Sequence, residues 1–172
     1  MLKHCTMLYA THEEFVENAS QFIAEGLERS EATVAVTTAP KIRLIQKELG
    51  DKAAEVTYVE ARRWYSTPMS ALAGYRKFID QSLELGSGWI RILGEPVWSG
   101  RSTSEVALWT RYESLLNLEL AGAPITVLCP YDTSALDPRI LEHAQATHPH
   151  TRTHSEIARN PRYVEPSRFA LE

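Results

Sequence analysis

The sequence predicts an α/β domain in three layers, with helices on both faces of a mainly parallel sheet of about five strands. Short apolar runs alternate along the chain with longer segments whose apolar residues recur at the helical period. This alternation is typical of strands joined by helical crossovers, which build a parallel sheet covered on both faces. The length of 172 residues suits one domain with a substantial core.

Each predicted strand is a short run of apolar, often β-branched residues, which are the residue types favoured in strands. Pro130 is expected to end the fifth strand, because proline has no N–H to donate to a neighbouring strand. The five runs are Met7-Leu8-Tyr9 (beginning near His4), Thr33–Thr38, Val56–Val59, Trp89–Leu93 and Ile125–Cys129.

The predicted helices begin at recognisable capping signals. Thr11 with Glu14, and Ser102 with Glu105, have the spacing in which a hydroxyl and a carboxylate satisfy the free N–H groups of a first helical turn. Two other starts carry proline at the first helical position, where its missing N–H costs nothing. These two are Thr67-Pro68 and Asp137-Pro138, the second opening a helix to about Thr147, and residues 40–49 form one further helix.

Residues 149–172 differ from the rest of the chain, since they are rich in proline and arginine and have weak periodicity. We predict a domain over residues 1–148, followed by an extended arm or linker over residues 149–172. The chain is then either a fragment of a longer protein or a domain that acts on a separate partner.

Composition excludes several classes of protein. The net charge is −4 and the basic residues form no stripe, so direct binding of nucleic acid is not expected. Two cysteines and no CxxC motif do not make a disulfide scaffold or a zinc finger. The N-terminus lacks the apolar segment of a signal peptide, and no apolar run is long enough for a membrane helix. We expect a soluble cytoplasmic protein that does not bind membranes.

The loop after the first strand lacks the features of a phosphate-binding loop. Neither GxxxxGK[ST] nor GxGxxG occurs, and none of the eight glycines lies in that loop. A phosphate cradle needs consecutive, unobstructed backbone N–H groups. Thr11-His12-Glu13-Glu14 places two carboxylates there instead, and these would repel a triphosphate. ATP binding in the manner of a P-loop protein is therefore disfavoured.

Candidate ligand-binding residues follow from the rule that open parallel sheets bind ligands beyond the carboxyl ends of their strands. The residues there combine aromatic rings with carboxylates, which suit a pocket with apolar walls and a few polar anchors. They are Tyr9, His12, Glu14, Trp64, Tyr65, Glu95, Trp98, Cys129, Tyr131 and Asp132.

A helix face adds Trp109, Glu113 and Asn117, which are spaced i, i+4, i+8, together with the neighbouring Tyr112. This face could line the same pocket, or it could be a helix edge that faces solvent.

Several candidates have a purely structural alternative. Glu95 could anchor a ligand or act as a general acid or base, or it could be a charge held by Arg91 or Arg101. Cys129 could be a nucleophile, although buried cysteine usually behaves as a small apolar residue. Asp132 follows a proline and could be a turn residue.

The chain also has a dense run of histidines near its C-terminus, but metal sites need spaced ligands and a supporting outer shell. We therefore expect no metal and no cofactor. The histidines are His143, His148, His150 and His154.

A set of motifs distributed over nearly the whole chain, in order, resembles the MEDS domain, the methanogen/methylotroph DcmR sensory domain. The motifs GEPVW, WxRYExxxN and CPYD are specific in combination. The matching residues are His4, Leu8-Tyr9, Glu13-Glu14-Phe15, Phe22, Glu25-Gly26-Leu27, Trp64-Tyr65, Gly94–Trp98, Trp109–Glu113, Leu116-Asn117, Cys129–Asp132 and Thr147-His148-Pro149.

The resemblance implies a RecA/KaiC-like fold without the Walker A loop, in which Ile92–Glu95 stands where a Walker B strand ends. It also implies a sensor of small molecules, proposed to be hydrocarbon derivatives. The signal would pass to an attached or separate output. In relatives such outputs resemble DNA-binding domains or anti-sigma-type histidine-kinase-like ATPases.

Two other functions stay open at this point. One is a small hydrolase-like enzyme that uses Glu95, Cys129 and Asp132, although no nucleophile and base occur at a recognisable spacing. The other is a protein–protein interaction module with a vestigial pocket. A homodimer is also left open.

Overall fold

The computed structural model describes residues 1–169 and shows one seven-stranded sheet with helices on both faces. The elements are β1 (Lys3–Tyr9), α1 (His12–Glu28), β2 (Ala32–Thr37), α2 (Ala39–Leu49), a 3₁₀ turn (Gly50–Glu55), β3 (Thr57–Glu60), α3 (Ala61–Trp64), α4 (Pro68–Glu84), β4 (Ile90–Gly94), α5 (Thr103–Glu119), β5 (Ile125–Asp132), α6 (Pro138–Thr147), β6 (His150–Thr153), β7 (Glu156–Arg159) and α7 (Pro166–Phe169). The predicted α/β class and mainly parallel sheet are confirmed, and all five predicted strands and five predicted helices are present.

The order of the strands in the sheet is β3-β2-β4-β5-β1-β6-β7. All neighbouring strands are parallel except β6 and β7. From β1 to β3 the chain moves toward one edge of the sheet, and from β3 to β6 it moves back toward the other. Because crossovers between parallel strands are right-handed, this reversal puts α1 and α2 on one face and α4, α5 and α6 on the other.

Each face of the sheet carries its own apolar core, because successive side chains of a strand point to opposite faces. Phe15 and Phe22 of α1 and Ile45 of α2 pack on one face. Tyr75 of α4 and Leu116 of α5 pack on the other face. The parity of each strand residue therefore decides which core it enters.

Two strands lie in the segment for which we expected an extended arm. β6 pairs with β1 through Cys5 with His150 and Thr6 with Thr151, and β7 pairs with β6. The expected strand count was therefore too low by two. The recurrence of apolar residues does not indicate β6, because the buried residue of this strand is the charged Arg152.

Proline 130 does not end the fifth strand as predicted, since β5 continues to Asp132 and Pro130 pairs with Met7. The pairing of β4 with β5 ends at Leu93 and Leu128. Beyond that point β5 has one paired neighbour instead of two, so a residue without an N–H is tolerated there.

A buried ion network fastens α1 to the sheet. The carboxylate of Glu25 accepts two hydrogen bonds from Arg152, at 3.0 and 2.9 Å, and one from Arg91 at 3.3 Å. Arg91 also pairs with Glu31. Both guanidinium groups are almost fully buried, so this network neutralises charges that water does not reach.

Among the helices of residues 1–169, none combines the length and the apolarity that crossing a membrane requires.

Replacing Glu25 by Gln should lower the free energy of unfolding by about 2–4 kcal/mol at neutral pH, because the buried Arg152 loses its counter-charge while Arg91 keeps Glu31. Burial raises the pKa of Glu25, but hydrogen bonds and charge from Arg152, with help from Arg91, outweigh it and hold the pKa below its usual value of 4.5. The stabilisation is therefore present above the unfolded-state pKa and is lost as pH falls through the lower folded-state pKa.

Urea unfolding of the wild type and E25Q at neutral pH and at about pH 3 measures this difference. The gap between the two proteins should narrow at the lower pH, and a gap that is independent of pH would contradict the assignment. Glu17→Gln, at an exposed position of the same helix, is the matched control.

Candidate functional site

The carboxyl ends of four neighbouring strands surround a cleft of about 160 Å³. β1 ends there at Tyr9 and β5 at Asp132, while Glu95 follows β4. The start of α2 closes one side. The cleft is lined by Tyr9, Thr38, Lys41, Glu95, Pro96, Val97, Trp98, Ser99, Pro130, Asp132 and Leu136.

A polar cluster around the carboxylate of Glu95 forms one wall of the cleft. The hydroxyl of Tyr9 donates to Oε1 at 2.8 Å, and the hydroxyl of Thr37 donates to Oε2. The ammonium of Lys41 contacts both Oε1 of Glu95 and the oxygen of Tyr9. Glu95 is thus a charge-neutralised acceptor, which requires no ligand to offset its burial.

Tyr9 stays a hydroxyl donor in this cluster. Burial, followed by the negative charge of Glu95, raises the pKa of Tyr9 well above its usual value. Lys41 also lies 4.8 Å from the ring centre of Tyr9 and 4.4 Å from that of Phe15, within the range of a cation–π contact.

The charge that pairs with Glu95 is Lys41, and neither arginine considered in the sequence analysis has that role. Arg91 is engaged by Glu25 and Glu31. Arg101 donates to the backbone carbonyls of Val97 and Tyr65 and lies over the ring of Trp109 at 4.3 Å. Arg101 therefore fixes the loop that carries Glu95 and Trp98.

Apolar side chains form the rest of the cleft, chiefly Trp98 and the residues beside it. Trp98 is 7 % exposed and its ring lies 6.1 Å from that of Tyr131. Asp132, on the opposite side, accepts the backbone N–H of Ser134 at 2.9 Å and its hydroxyl at 2.6 Å. Asp132 therefore acts as a turn residue, which was the structural role considered for it in the sequence analysis, and it also lines the cleft.

The connection between β1 and α1 consists of Ala10 and Thr11 alone. Oγ1 of Thr11 accepts the N–H of Glu14 at 3.1 Å, and the carboxylate of Glu14 accepts the N–H of Ala10 at 2.7 Å. The structure thus uses Glu14 to cap the helix, and His12 is exposed in the first turn. Neither side chain lines the cleft.

Five aromatic candidates lie beneath the cleft in the core between the sheet and α4 and α5. The hydroxyls of Tyr65 and Tyr75 are hydrogen-bonded at 3.0 Å, and the ring of Trp109 packs edge-on against Tyr65. These rings fill the space where the helices cover the sheet, so they do not line the cleft. The five candidates are Trp64, Tyr65, Trp109, Tyr112 and Tyr131.

A second cluster of polar groups lies in the same core. Each of its four residues offers one atom that could bind a metal ion, and these four atoms lie within 4.8 Å of one another. Nε2 of His4 is 3.5 Å from Oε2 of Glu113 and 3.5 Å from Sγ of Cys129. Nε2 of His148 is 3.7 Å from the same carboxylate oxygen. All four residues are buried, and their chemical types are those that bind transition metals.

The face of α5 that carries Trp109, Glu113 and Asn117 is turned toward the core that contains this cluster. Glu113 and Trp109 are both 2 % exposed, and Oδ1 of Asn117 contacts Nδ1 of His4 at 3.1 Å. Burial raises the pKa of the Cys129 thiol and lowers the pKa of His148. Cys129 is therefore a neutral thiol, and it lies on the face of the sheet opposite to Glu95.

The chain belongs to the MEDS domain family. The family model, described as "MEthanogen/methylotroph, DcmR Sensory domain", matches residues 3–149. Both the cleft and the buried cluster fall inside this match, whereas β6 and β7 lie beyond it. The chain is by family a sensory domain, and the RecA/KaiC-like relationship stays a prediction.

Comparison with curated proteins found no match. Among solved structures, a chain described as "The cytoplasmic domain of EssC" is similar, with 12 % identity and a TM-score of 0.43. The similarity covers 95 % of this chain and 36 % of that chain, so this MEDS domain spans about a third of its length.

Sequence reasoning missed two kinds of residue in this MEDS domain. Lys41 lies in the first turn of α2 and not at a strand end, so the carboxyl-edge rule does not select it, although Pro40 indicates a helix start at the same edge. His4 and His148 were missed as a pair because they lie at opposite ends of the chain. No local spacing connects them, and only the adjacency of β1, β5 and α6 does.

Replacing Gly94 by Ala should destabilise the domain by about 1–3 kcal/mol, because the added methyl group would overpack the core. A Cβ at this position would lie 2.5 Å from the hydroxyl oxygen of Tyr65 and 2.6 Å from that of Tyr75. The midpoint of thermal unfolding measures the effect.

Gly88→Ala is the control, since a Cβ at Gly88 meets nothing within 4 Å in the described chain. Equal melting temperatures for the two variants would show that the tyrosine hydroxyls do not approach Gly94 in solution.

Proposed function

We propose that this MEDS domain is a non-catalytic sensor that binds a small, partly apolar molecule in the cleft at the carboxyl edge of the sheet. The observation that carries the proposal is the cluster of Tyr9, Lys41 and Glu95 facing the apolar side chains around Trp98. A site of this kind offers hydrogen bonds to a polar head and contact area to an apolar tail.

The volume and charge of the cleft favour a small neutral ligand. A space of 160 Å³ is smaller than the roughly 300–1,000 Å³ that is typical of ligand pockets. The charge of Lys41 is already balanced by Glu95, and Asp132 adds a negative charge. A hydroxyl or carbonyl head with a short hydrocarbon tail fits these conditions better than an anion, in keeping with the hydrocarbon derivatives proposed for the family.

The residues of the polar cluster come from different elements, so a ligand could bias how these elements pack. Tyr9 ends β1, Lys41 opens α2, and Glu95 begins the loop that leads to α5. A ligand that competes for Lys41 or Glu95 would change the balance between two arrangements, provided that it binds one of them more tightly. An attached or separate output, histidine-kinase-like or DNA-binding, would respond to this change.

The geometry gives little support to the hydrolase-like alternative. Cys129 contacts His4, whereas Glu95 contacts Tyr9, Thr37 and Lys41 on the other face of the sheet. The residues of that alternative therefore do not share one site, and the Cys129–His4 pair, although within hydrogen-bonding reach, is buried away from the cleft. The open cleft also argues against an interaction module whose pocket is vestigial.

Binding of short neutral molecules should shift the backbone amide signals of residues 37–39, 41, 95 and 97–99 in ¹H–¹⁵N spectra. The probes are ethanol, 1-butanol and butanone, with butyrate as the anion of matched length. We expect the neutral probes to shift these signals more than butyrate does. Glu95→Gln and Trp98→Ala should abolish the shifts, because the first removes the charged acceptor and the second removes the apolar wall.

Glu84→Gln, at an exposed position of α4, is the control and should behave as the wild type does. Shifts that survive in both cleft variants, or a cleft that responds to none of the four probes, would contradict the proposed site.

Magnesium–ATP should not bind at the β1–α1 connection. The N–H of Ala10 already donates to the carboxylate of Glu14, and the N–H of Glu14 donates to the hydroxyl of Thr11. The exposed carboxylates of Glu13 and Glu14 lie where the phosphates would lie. Isothermal titration calorimetry with ATP and Mg²⁺ should show no heat of binding. Saturable, magnesium-dependent binding that is strengthened by changing Glu13 and Glu14 to Gln would instead place a nucleotide at this turn.

A further inference from the structure

We propose that His4, Glu113, Cys129 and His148 form a zinc site in the core between the sheet and α5 and α6. The proposal does not depend on the cleft, which lies at the carboxyl edge of the sheet and shares no lining residue with the cluster. It assigns a function to four buried polar residues that the proposed sensor site does not use.

The distances within the cluster match a coordination sphere better than a hydrogen-bond network. Tetrahedral zinc with bonds of about 2.0–2.3 Å places neighbouring ligand atoms roughly 3.3–3.7 Å apart. Three of the six atom pairs are separated by 3.5, 3.5 and 3.7 Å, and the other three lie within 4.8 Å. The two nitrogen–oxygen pairs are longer than a hydrogen bond of about 2.7–3.2 Å, whereas the sulfur–nitrogen pair fits either a hydrogen bond or a coordination sphere.

Both histidine rings are oriented as metal ligands are. Nδ1 of His4 faces Oδ1 of Asn117 at 3.1 Å, and Nδ1 of His148 faces the carbonyl of Ala144 at 2.7 Å. Because both acceptors are oxygens, each Nδ1 carries the proton and each Nε2 presents a lone pair to the cluster. Asn117 is itself held by hydrogen bonds to the carbonyls of Ser114 and Thr147.

Two atoms aimed into the cluster have no hydrogen-bond partner among residues 1–169. They are Oε2 of Glu113 and Nε2 of His148, and both residues are at least 98 % buried. A buried carboxylate without a cationic partner is costly, and natural proteins avoid it by pairing the charge or by binding a metal. A dication at the centre of the cluster would satisfy both atoms at once.

The ligand set favours zinc over the other common ions. The borderline-soft Zn²⁺ accepts a mixed set of one thiolate, two imidazoles and one carboxylate, whereas Ca²⁺ and Mg²⁺ prefer oxygen alone. Binding would replace the proton of the Cys129 thiol, which passes to the buffer, by a zinc–sulfur bond. Four protein ligands complete the coordination of zinc, so the site would hold the domain together and would not activate water.

The proposed site would join elements from both ends of the family match. His4 lies on β1, Glu113 on α5, Cys129 on β5, and His148 directly after α6. The ring of His148 packs edge-on against Tyr131 at 5.7 Å, and Tyr131 contacts Trp98 of the cleft. A metal here would therefore fix the packing of α5 and α6 beneath the cleft.

The test uses the full chain, freed of metal with a chelator and then titrated with Zn²⁺ and, separately, with Co²⁺. We expect one Zn²⁺ per chain, a higher melting temperature with zinc, and a cobalt spectrum with a sulfur-to-metal charge-transfer band. Cys129→Ala should abolish that band and the zinc-dependent rise in melting temperature. Cys5→Ala, which removes the other buried free cysteine on the opposite face of β1, should keep both.

Asn117→Ala tests the positioning residue, and it should weaken zinc binding about 10–100-fold while leaving the cobalt–sulfur band in place. X-ray absorption at the zinc edge of the wild type identifies the atoms bound to zinc, so this test does not depend on whether a core variant folds. One sulfur and three nitrogen or oxygen neighbours would support the site. A folded wild-type chain that takes up no stoichiometric zinc, zinc with no sulfur neighbour, or a cobalt–sulfur band that persists in C129A would overturn it.

Discussion

The strands from β1 to β6 all run in the same direction, and this single constraint positions everything else in the domain. Parallel strands bring their carboxyl ends to one edge, so the residues that follow Tyr9, Thr37, Gly94 and Asp132 meet there although the chain separates them widely. The same constraint requires right-handed helical crossovers, and the reversal after β3 then covers both faces of the sheet. The cleft is a consequence of this geometry, because no single segment builds it.

Two buried glutamates show how differently the fold treats the same side chain. Glu95 is held by Tyr9, Thr37 and Lys41, so its charge is balanced and its oxygens are all engaged. Glu113 is buried more deeply, and within the described residues its Oε2 has only two histidines near it. Because the cost of an unpaired buried charge rises with depth, these two environments require different physical accounts. Protein groups alone balance the charge of Glu95, whereas the surroundings of Glu113 favour a bound cation.

The sequence predicted the elements whose pattern is local and missed those that depend on distant partners. β2 was evident from its β-branched run, and α5 from the capping pair Ser102 and Glu105, which the structure shows as a reciprocal capping box. β6 was not evident, because its inward residue is Arg152 and only the distant Glu25 makes that burial possible. Glu95 followed from the carboxyl-edge rule, but its partner Lys41 did not, since the choice between cations depends on packing.

The cleft and the buried cluster share two strands, and strand parity keeps the sites apart. His4 and Tyr9 lie five residues apart on β1, and Cys129 and Asp132 lie three residues apart on β5. Odd spacings put each pair on opposite faces of a pleated strand, so one member of each pair joins the cleft and the other joins the core beneath α5 and α6. A one-residue slip of β1 against β5 would exchange the faces of His4 and Tyr9 while Cys129 and Asp132 kept theirs, so each site would lose its β1 residue. The register between these two strands, seven residue pairs from Lys3 with Thr126 to Tyr9 with Asp132, is therefore the structural requirement that both sites have in common.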